Sequence, residues 1–240
     1  MLNETPWVGV DGIVFDAVGT VIEPFPSVAD VYAEAARRQG VRLERSVVKA
    51  RFHQYFRNDE VDEMRGPLAT DEATEYRRWR RIVSNVLPEV PFPDRAFFEL
   101  WEHFSRPDSW RCFPDVAPAF ERLAACRVPI RIASNFDGRL RGVAQGHPEL
   151  SCCVGSLVIS SEVGFRKPHA AFYLAACASL GVPPERVLCV GDDLENDVLG
   201  PRRAGLRGLL LDRHDLRPAE APYVADLEAL VRPMHGSDRA

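Results

Sequence analysis

The 240-residue sequence predicts an α/β fold, in which a parallel sheet with flanking helices is interrupted once by a helical domain. Several short apolar runs are continuous rather than alternating, which suits strands buried on both faces of a parallel sheet. Helical patterns separate the later runs, and this alternation indicates right-handed crossover connections. The interval between the first two runs is too long for one crossover, so it predicts the inserted domain.

Five apolar runs are the predicted strands of the sheet. They lie at residues 12–16, 129–134, 156–160, 187–191 and 208–211. The segments between them that are predicted to be helical lie at residues 115–127, 169–181 and 196–205. Because helices separate the strands, we expect the strands to run parallel in one sheet.

The inserted domain is predicted from three amphipathic segments. Ser27 is a candidate N-cap for the first segment, which ends at Gly40. The second segment begins after Thr70 and the third follows Asp94, and each carries an aromatic-rich apolar stripe. Three helices of this kind can bury a core of their own.

The chain is therefore predicted to divide into two domains. The core takes residues 1–24 and 111–240, and the helical domain takes residues 25–110. Four arginines of the helical domain, at positions 77, 78, 80 and 81, lie off its apolar stripe. A solvated helix face is their expected role, rather than a phosphate-binding patch.

Composition and charge exclude several classes of protein. Hydrophobic residues make up 46% of the chain and charged residues 27%, which is ordinary for a globular protein. The net charge of −5 provides no basic field for nucleic acid, so we expect no nucleic-acid partner. The six cysteines show no CxxC spacing and are expected to be reduced and structural rather than metal-binding.

No membrane partner is expected either. No uninterrupted apolar run approaches the roughly 20 residues that span a bilayer. The N-terminal segment MLNETPWVG lacks a basic region followed by an apolar stretch, so it does not have the pattern of a signal peptide. A cytoplasmic location is the resulting expectation.

Polar side chains follow the predicted strands at the edge where a parallel sheet carries its active site. The first strand ends at Asp16, the second ends at Ser134 and Asn135, and Lys167 follows the third. The fourth is followed by an acidic group, which comprises Asp192, Asp193, Glu195 and Asp197. Each residue alone is a weak signal, but four strand ends that deliver one coherent polar set indicate a site.

This set of residues suits phosphoryl transfer. Carboxylates that converge on one point repel each other unless a cation lies among them, and Mg²⁺ prefers such hard oxygen ligands. The hydroxyl of Ser134 and the amide of Asn135 can hold the oxygens of a bound anion, and Lys167 can neutralise it. A carboxylate nucleophile, a metal and a lysine together predict in-line attack on a phosphate group.

The order of four motifs resembles that of the haloacid dehalogenase superfamily over residues of about 10 to 212. The motifs are FDAVGT, IASNFD, FRKP and VGDDLEND, in that order, with a helical insertion after the first. The resemblance implies a Rossmann-like core and an α-helical cap inserted after strand one. More narrowly, the sequence is similar to the "haloacid dehalogenase-like hydrolase domain-containing" branch of the superfamily.

The resemblance also implies roles for individual residues. Asp16 would be the covalent nucleophile and form an aspartyl-phosphate. Ser134 and Lys167 would bind the transferred group, and the substrate would be a small molecule such as a phosphate ester. The ligands of Mg²⁺, direct or through water, would be Asp16, the backbone carbonyl of Val18, Asp192 and Asp197.

Val18 departs from the pattern of the phosphatases in this superfamily. They usually carry a second aspartate two residues after the nucleophile, which protonates the leaving oxygen and then activates water. Three alternatives follow: a Mg²⁺-dependent phosphohydrolase with an unusual second step, a metal-independent 2-haloacid dehalogenase, or a non-catalytic relative that binds a phosphorylated ligand. The acidic fourth motif favours the Mg²⁺-binding alternatives, because a dehalogenase needs a free carboxylate.

The sequence does not identify the substrate. Specificity would come from residues 25–110, and no residue there stands out as a substrate ligand. His53 and His103 could face a cleft, but a place on the surface or in packing is the expected one for each.

Overall fold

The structure is a computed structural model that describes residues 8–64, 66–214 and 222–232. Residues 1–7, which belong to the segment considered above as a signal peptide, lie outside these ranges. The described strands are β1 (Gly12–Phe15), β2 (Ile22–Pro24), β3 (Trp110–Cys112), β4 (Ile130–Ser134), β5 (Val158–Ile159), β6 (Val187–Gly191), β7 (Arg207–Leu211) and β8 (Tyr223–Val224). The described α-helices are α1 (Val28–Arg38), α2 (Arg45–Met64), α3 (Glu72–Val86), α4 (Pro93–His103), α5 (Val116–Ala125), α6 (Arg139–Gln145), α7 (Ser160–Val163), α8 (Ala170–Leu180), α9 (Gly200–Arg203) and α10 (Leu227–Val231).

Six strands form one parallel sheet in the order β5-β4-β1-β6-β7-β8. All four residues of the central strand β1 are buried. Ile13 and Phe15 pack in the apolar cluster on one face of the sheet, and Val14 packs in the cluster on the other face. Burial on both faces explains the continuous apolar runs, and the predicted parallel α/β core is confirmed.

The observed strands differ from the predicted ones mainly at the edges of the sheet. The third predicted strand shortens to the two residues of β5, and β8 adds an edge strand beside β7 that was not predicted. Two-residue strands are too short to produce a recognisable pattern in a sequence.

Two short strands outside the sheet connect the core to the helices that follow. β2 precedes α1 and β3 follows α4, and the two strands pair antiparallel. Ile22 lies opposite Cys112, and Pro24 lies opposite Trp110. The two connections therefore run side by side as one ribbon.

Helices α1 to α4 form a helical insertion, residues 28–103, with an apolar cluster of its own. The Ser27 hydroxyl accepts a hydrogen bond from the N–H of Asp30 at 3.3 Å, so Ser27 is the N-cap of α1 as predicted. α3 begins one residue later than predicted, because Asp71 rather than Thr70 caps it by accepting from Thr74 at 2.7 Å. The division of the chain into two domains stays a prediction.

Two features of the helical insertion differ from the sequence interpretation. The 20-residue helix α2 was not singled out, because only its first half carries an apolar stripe, formed by Val48, Phe52, Tyr55 and Phe56, and its second half is mostly charged. Arg77, Arg80 and Arg81 are exposed as expected, but the assignment of Arg78 to a solvated face is wrong, since only 2% of this residue is exposed.

Two further expectations concern the state of the cysteines and the absence of membrane-spanning helices. All six cysteines lie within the described ranges and are free thiols, as expected for reduced cysteines. Among the described helices, none combines the length and the apolar character that a bilayer crossing requires.

Candidate active site

Three carboxylates meet at the carboxyl end of the central strand. Asp16 directly follows β1, and its backbone N–H donates to the carbonyl of Val190 in β6 at 2.9 Å. Asp192 follows β6, and a π-helical turn, Leu194–Leu199, brings Asp197 back to the same place. One oxygen from each of the three carboxylates lies within 4.8 Å of the other two. We call Asp16, Asp192 and Asp197 the acid cluster.

Lys167 supplies a cation to the acid cluster. Its Nζ lies 2.8 Å from Oδ1 of Asp16 and 2.8 Å from Oδ1 of Asp197. The sequence places this lysine after a turn, yet only 3% of it is exposed. Burial by itself would lower the pKa of Lys167, but the facing carboxylates of Asp16 and Asp197 outweigh burial and raise the pKa above its usual range. Lys167 is therefore a fixed positive charge in the site.

Asn135 holds the backbone of Lys167. The N–H of Lys167 donates to Oδ1 of Asn135 at 2.7 Å, and Nδ2 of Asn135 donates to the carbonyl of Lys167 at 3.1 Å. These two bonds leave one hydrogen of the Asn135 amide for a bound anion. Asn135 thus positions the lysine, and its predicted contact with substrate stays a prediction.

Ser134 lies beside the acid cluster through strand register. β4 pairs with β1 so that Ile132 lies opposite Phe15, which carries Ser134 just past Asp16 along the same edge of the sheet. Only 3% of Ser134 is exposed. This is the placement that binding of a transferred group requires, and its role stays a prediction.

The acid cluster carries more negative charge than its surroundings balance. Burial, together with the carboxylate of Asp197, raises the pKa of Asp16 to about 6 although Lys167 opposes the change. Burial and the repulsion from Asp16 and Asp197 raise the pKa of Asp192 to about 8. Asp192 still reaches solvent, so a cation can approach it, and a bound cation would remove the repulsion between the carboxylates.

The donor set fits Mg²⁺. It consists of carboxylate oxygens from the segments that follow β1 and β6, and these are the hard ligands that this ion prefers. The raised pKa values of Asp16 and Asp192 show that one lysine does not neutralise the group. Thr20 fixes Asp192 for such a role, because its hydroxyl donates to Oδ1 at 3.3 Å.

Two glycines allow the acid cluster to form. Gly19 has φ +88°, and a Cβ there would lie 2.3 Å from Oδ2 of Asp192. A Cβ on Gly191 would lie 2.2 Å from Oδ2 of Asp197. Any larger residue at either position would push a carboxylate out of the cluster.

The other acidic residues of the fourth motif have structural partners. The carboxylate of Asp193 accepts a hydrogen bond from the N–H of Asn196 at 2.7 Å and so caps the π-helical turn. Glu195 forms an ion pair with Arg203. The motif therefore separates into two residues of the acid cluster and two that hold the turn.

Val18 lines a cavity of about 370 Å³ on one side of the acid cluster. Gly19, Phe113, Asp192 and Arg213 share the lining. The carboxylate expected at position 18 in related phosphatases would line this cavity. The apolar valine offers neither a proton nor a base. The predicted metal contact of the Val18 carbonyl stays a prediction.

A second cavity, of about 70 Å³, lies between the core and the helical insertion. Asn135, Arg166 and Lys167 line it from the core, and Glu60 and Leu68 line it from the insertion. Glu60 is a candidate functional residue that the sequence analysis missed. One charged residue in a polar helix gives no signal in a sequence, so only the packing of α2 against the core reveals it.

The two histidines considered above lie elsewhere. His53 is exposed on α2. His103 packs against the edge of the Phe104 ring, and burial together with Arg106 lowers its pKa. Neither residue lines the two cavities described here.

Buried ion pairs join the helical insertion to the loop that carries Lys167. Glu75 on α3 accepts from Arg166 at 2.9 Å and from the hydroxyl of Thr70 at 2.7 Å. Arg78 forms ion pairs with Asp59 and Glu75. We call Asp59, Glu75, Arg78 and Arg166 the insertion cluster.

Backbone contacts strengthen the same junction. The N–H of Arg166 donates to the carbonyl of Leu68 at 2.9 Å, and the N–H of Thr70 donates to that of Gly164 at 3.0 Å. Glu72 accepts from the N–H of Gly138 at 2.8 Å. The start of α3 is thus attached to the core on two sides of the site.

Two of the relatives that comparison with known proteins gives are of similar length. Haloacid dehalogenase-like hydrolase domain-containing protein 3 of Danio rerio is 27% identical over 214 residues, which cover 87% of each chain. The phosphoserine phosphatase of Thermus thermophilus is 30% identical over 238 residues, which cover 90% of this chain and 93% of that protein.

The fold is similar to that of solved structures, and the sequence matches the profile of a protein family. The L-2-haloacid dehalogenase of Xanthobacter autotrophicus superposes with a TM-score of 0.68 at 21% identity, over 95% of this chain and 99% of that one. The profile of the haloacid dehalogenase-like hydrolases matches residues 10–205, a range that contains all four motifs. The resemblance expected from those motifs is confirmed, and this chain is a hydrolase of the haloacid dehalogenase-like family.

Proposed function

We propose that this hydrolase is a Mg²⁺-dependent phosphohydrolase that acts on small phosphate esters through an aspartyl-phosphate on Asp16. The single observation that carries the proposal is the excess of carboxylates in the acid cluster beside one buried lysine. A dehalogenase attacks carbon with a free carboxylate and needs no metal ion, so it does not require several acids to converge on one point. A phosphohydrolase needs those acids to hold its metal ion.

In the first step, an oxygen of Asp16 attacks phosphorus and the bond from phosphorus to the leaving oxygen breaks. Lys167 is 2.8 Å from Asp16 and neutralises charge on the equatorial oxygens of the transferred group. Ser134 and the remaining hydrogen of the Asn135 amide would bind the same oxygens. The leaving oxygen takes its proton from water, because Val18 has none to give.

In the second step, water attacks phosphorus, phosphate leaves and the Asp16 carboxylate is restored. No side chain at position 18 can take a proton from that water. Mg²⁺ would be held by Asp16, Asp192, Asp197 and the carbonyl of Val18, and it would supply charge neutralisation in both steps. The second step is therefore expected to be slow, and leaving groups that need little protonation are favoured.

The helical insertion serves as the cap in this proposal, and the substrate enters the cavity between it and the core. Glu60 lines that cavity opposite Lys167, so its carboxylate can pair with an amino group of the substrate. The relative from Thermus thermophilus is named a phosphoserine phosphatase, and phosphoserine carries such a group. Phosphoserine therefore belongs in any substrate panel.

The proposal is tested with phosphate esters and 2-haloacids, each with Mg²⁺ and with a chelator. We expect phosphate release that requires Mg²⁺ and is lost in Asp16→Asn. A phosphorylated peptide containing Asp16 should be trapped by mass spectrometry in the wild type and absent in the variant. Halide release from 2-haloacids without Mg²⁺ would establish a dehalogenase instead.

A further inference from the structure

Cys112, His147 and Glu149 form a second group of metal-binding side chains. One ligand atom from each lies within 4.8 Å of the other two. The group shares no residue with the acid cluster, and its thiol and imidazole differ in kind from carboxylates. It lies where the connecting ribbon meets the core, because Cys112 ends β3 while His147 and Glu149 follow α6.

The imidazole of His147 has one ring nitrogen available to bind a metal. Its Nε2 lies 3.2 Å from the carbonyl of Pro107 and must donate to it, which leaves Nδ1 without the proton. Metal-binding histidines commonly donate their other nitrogen to a carbonyl in this way. Gly146 makes the contact possible, since a Cβ there would lie 2.2 Å from that of Pro107.

The other two side chains complete a mixed donor set. The Cys112 thiol lies within 4.8 Å of a carboxylate oxygen of Glu149. Cys112 and His147 are half-buried, whereas Glu149 is exposed, so an ion can enter from solvent. Sulfur, nitrogen and oxygen ligands together suit a borderline-soft divalent cation and not Mg²⁺.

We infer that Cys112, His147 and Glu149 bind Zn²⁺, with water as the fourth ligand. Binding replaces the S–H bond of Cys112 by a Zn–S bond, and the proton passes to solvent. The ion joins the end of β3 to the turn after α6, so it fixes one of the two connections to the helical insertion. The inference does not depend on the proposed phosphohydrolase activity.

The test uses the untagged full chain with saturating Mg²⁺, so that the acid cluster is occupied. Zn²⁺ is titrated by calorimetry, and Co²⁺ is added separately as a spectroscopic probe. We expect one Zn²⁺ per chain and a thiolate-to-Co²⁺ charge-transfer band. Cys112→Ser should abolish the band, and His147→Gln should weaken Zn²⁺ binding by about 10- to 100-fold or more, as loss of metal-site partners does.

Cys152→Ser is the matched control, because Cys152 is an exposed thiol outside the group. It should keep the charge-transfer band and the Zn²⁺ affinity of the wild type. If Cys112→Ser does not fold by circular dichroism, His147→Gln and Glu149→Gln decide the question. Absence of Zn²⁺ binding in the wild type overturns the inference, and so does unchanged binding in His147→Gln and Glu149→Gln.

Discussion

The acid cluster and the insertion cluster are two groups of charged residues, largely buried except at Asp192, that lie on either side of one loop. In the acid cluster, three carboxylates face a single ammonium group, that of Lys167. In the insertion cluster, two carboxylates face two buried guanidinium groups, and Asp59 also pairs with Arg81, whose side chain is exposed. Arg166 and Lys167 are neighbours in sequence, so one loop contributes a cation to each cluster.

The difference separates a structural group from a binding group. A balanced buried network satisfies its own charges and specifies how two elements pack. An unbalanced one is costly unless something else supplies the missing charge, and that need identifies a ligand site. The acid cluster is therefore expected to respond to Mg²⁺, and the insertion cluster is not.

The largest effect is expected from Val18→Asp, which adds the missing proton donor beside the acid cluster. The new carboxylate can protonate the leaving oxygen and then activate water. Turnover of alkyl phosphates should rise by about 10²–10⁴-fold, the usual size of general acid–base catalysis. Nitrophenyl phosphate should gain least, because its leaving group departs without a proton.

Val18→Asn is the matched control, since it has nearly the same shape but no proton to transfer. Steady-state rates for both esters, with trapping of the aspartyl-phosphate, measure the effect. The wild type should accumulate more adduct than Val18→Asp. Equal rate gains in both variants would show that the shape of the side chain at position 18, rather than proton transfer, limits turnover in the wild type.

The next prediction compares the clusters by removing one cation from each. Lys167→Met leaves the carboxylates of Asp16 and Asp197 without a cation, so it should lower the free energy of unfolding by about 3–5 kcal/mol in chelator. Arg78→Met should cost less, because Asp59 keeps Arg81 and Glu75 keeps Arg166. Mg²⁺ should then stabilise Lys167→Met more than it stabilises the wild type, because the ion replaces the lost charge. In Arg78→Met the gain from Mg²⁺ should equal that of the wild type.

Urea unfolding of the three proteins at pH 8, with chelator or saturating Mg²⁺, measures these differences. Lys167→Met should also lose turnover, whereas Arg78→Met should retain it where folded. A larger Mg²⁺ gain in Arg78→Met than in the wild type would contradict the distinction between the clusters.

The third prediction concerns pH and the acid cluster without metal. The pKa of Asp192 is raised to about 8 in the folded chain, by burial and by Asp16 and Asp197. The folded state then holds a proton that the unfolded state, with an ordinary carboxyl group, releases near pH 4. The stability that protonated Asp192 contributes to the folded state is fully present below about pH 4 and is lost as pH rises through about 8.

Melting temperature in chelator should therefore fall between pH 6 and 8 in the wild type, and fall less in Asp192→Asn. Asp16 also makes the folded state less stable as pH rises, but at lower pH, because burial raises its pKa only to about 6. With Mg²⁺ the trend should reverse, since protons compete with the ion. A chelator profile of Asp192→Asn that matches the wild type would sink this explanation.

The residues of the acid cluster were predictable because local sequence positions them. An apolar strand followed by an acid puts Asp16 at the end of β1, and the pairing of β1 with β6 brings Asp192 beside it. The first step is local, and the second needs only that the two strands are neighbours in one parallel sheet. The depth of Lys167 was not predictable in this way, since its ammonium group is surrounded by Asp16, Phe172 and Asp197, which come from separate parts of the chain.

The insertion cluster was not predictable because its charged residues are buried, whereas charge in a sequence usually indicates exposure to solvent. Glu75, Arg78, Ile82 and Val86 are all buried along one face of α3. Two of them are charged, so a hydrophobic pattern excludes them from the face they belong to. Their partners, Asp59 and Arg166, come from other parts of the chain.

The smallest effect is expected for an ion pair that has good geometry but little burial. Arg51 on α2 donates to both oxygens of Glu89, at 2.8 and 2.6 Å, and 41% of the Glu89 side chain is exposed. Solvent screens such a pair, so Glu89→Gln should lower the free energy of unfolding at pH 7 by only about 0–1 kcal/mol. Urea unfolding beside Arg78→Met gives the comparison within one helical insertion. If the two variants lose the same stability, then hydrogen-bond geometry, and not burial, determines the strength of charge pairs in this protein.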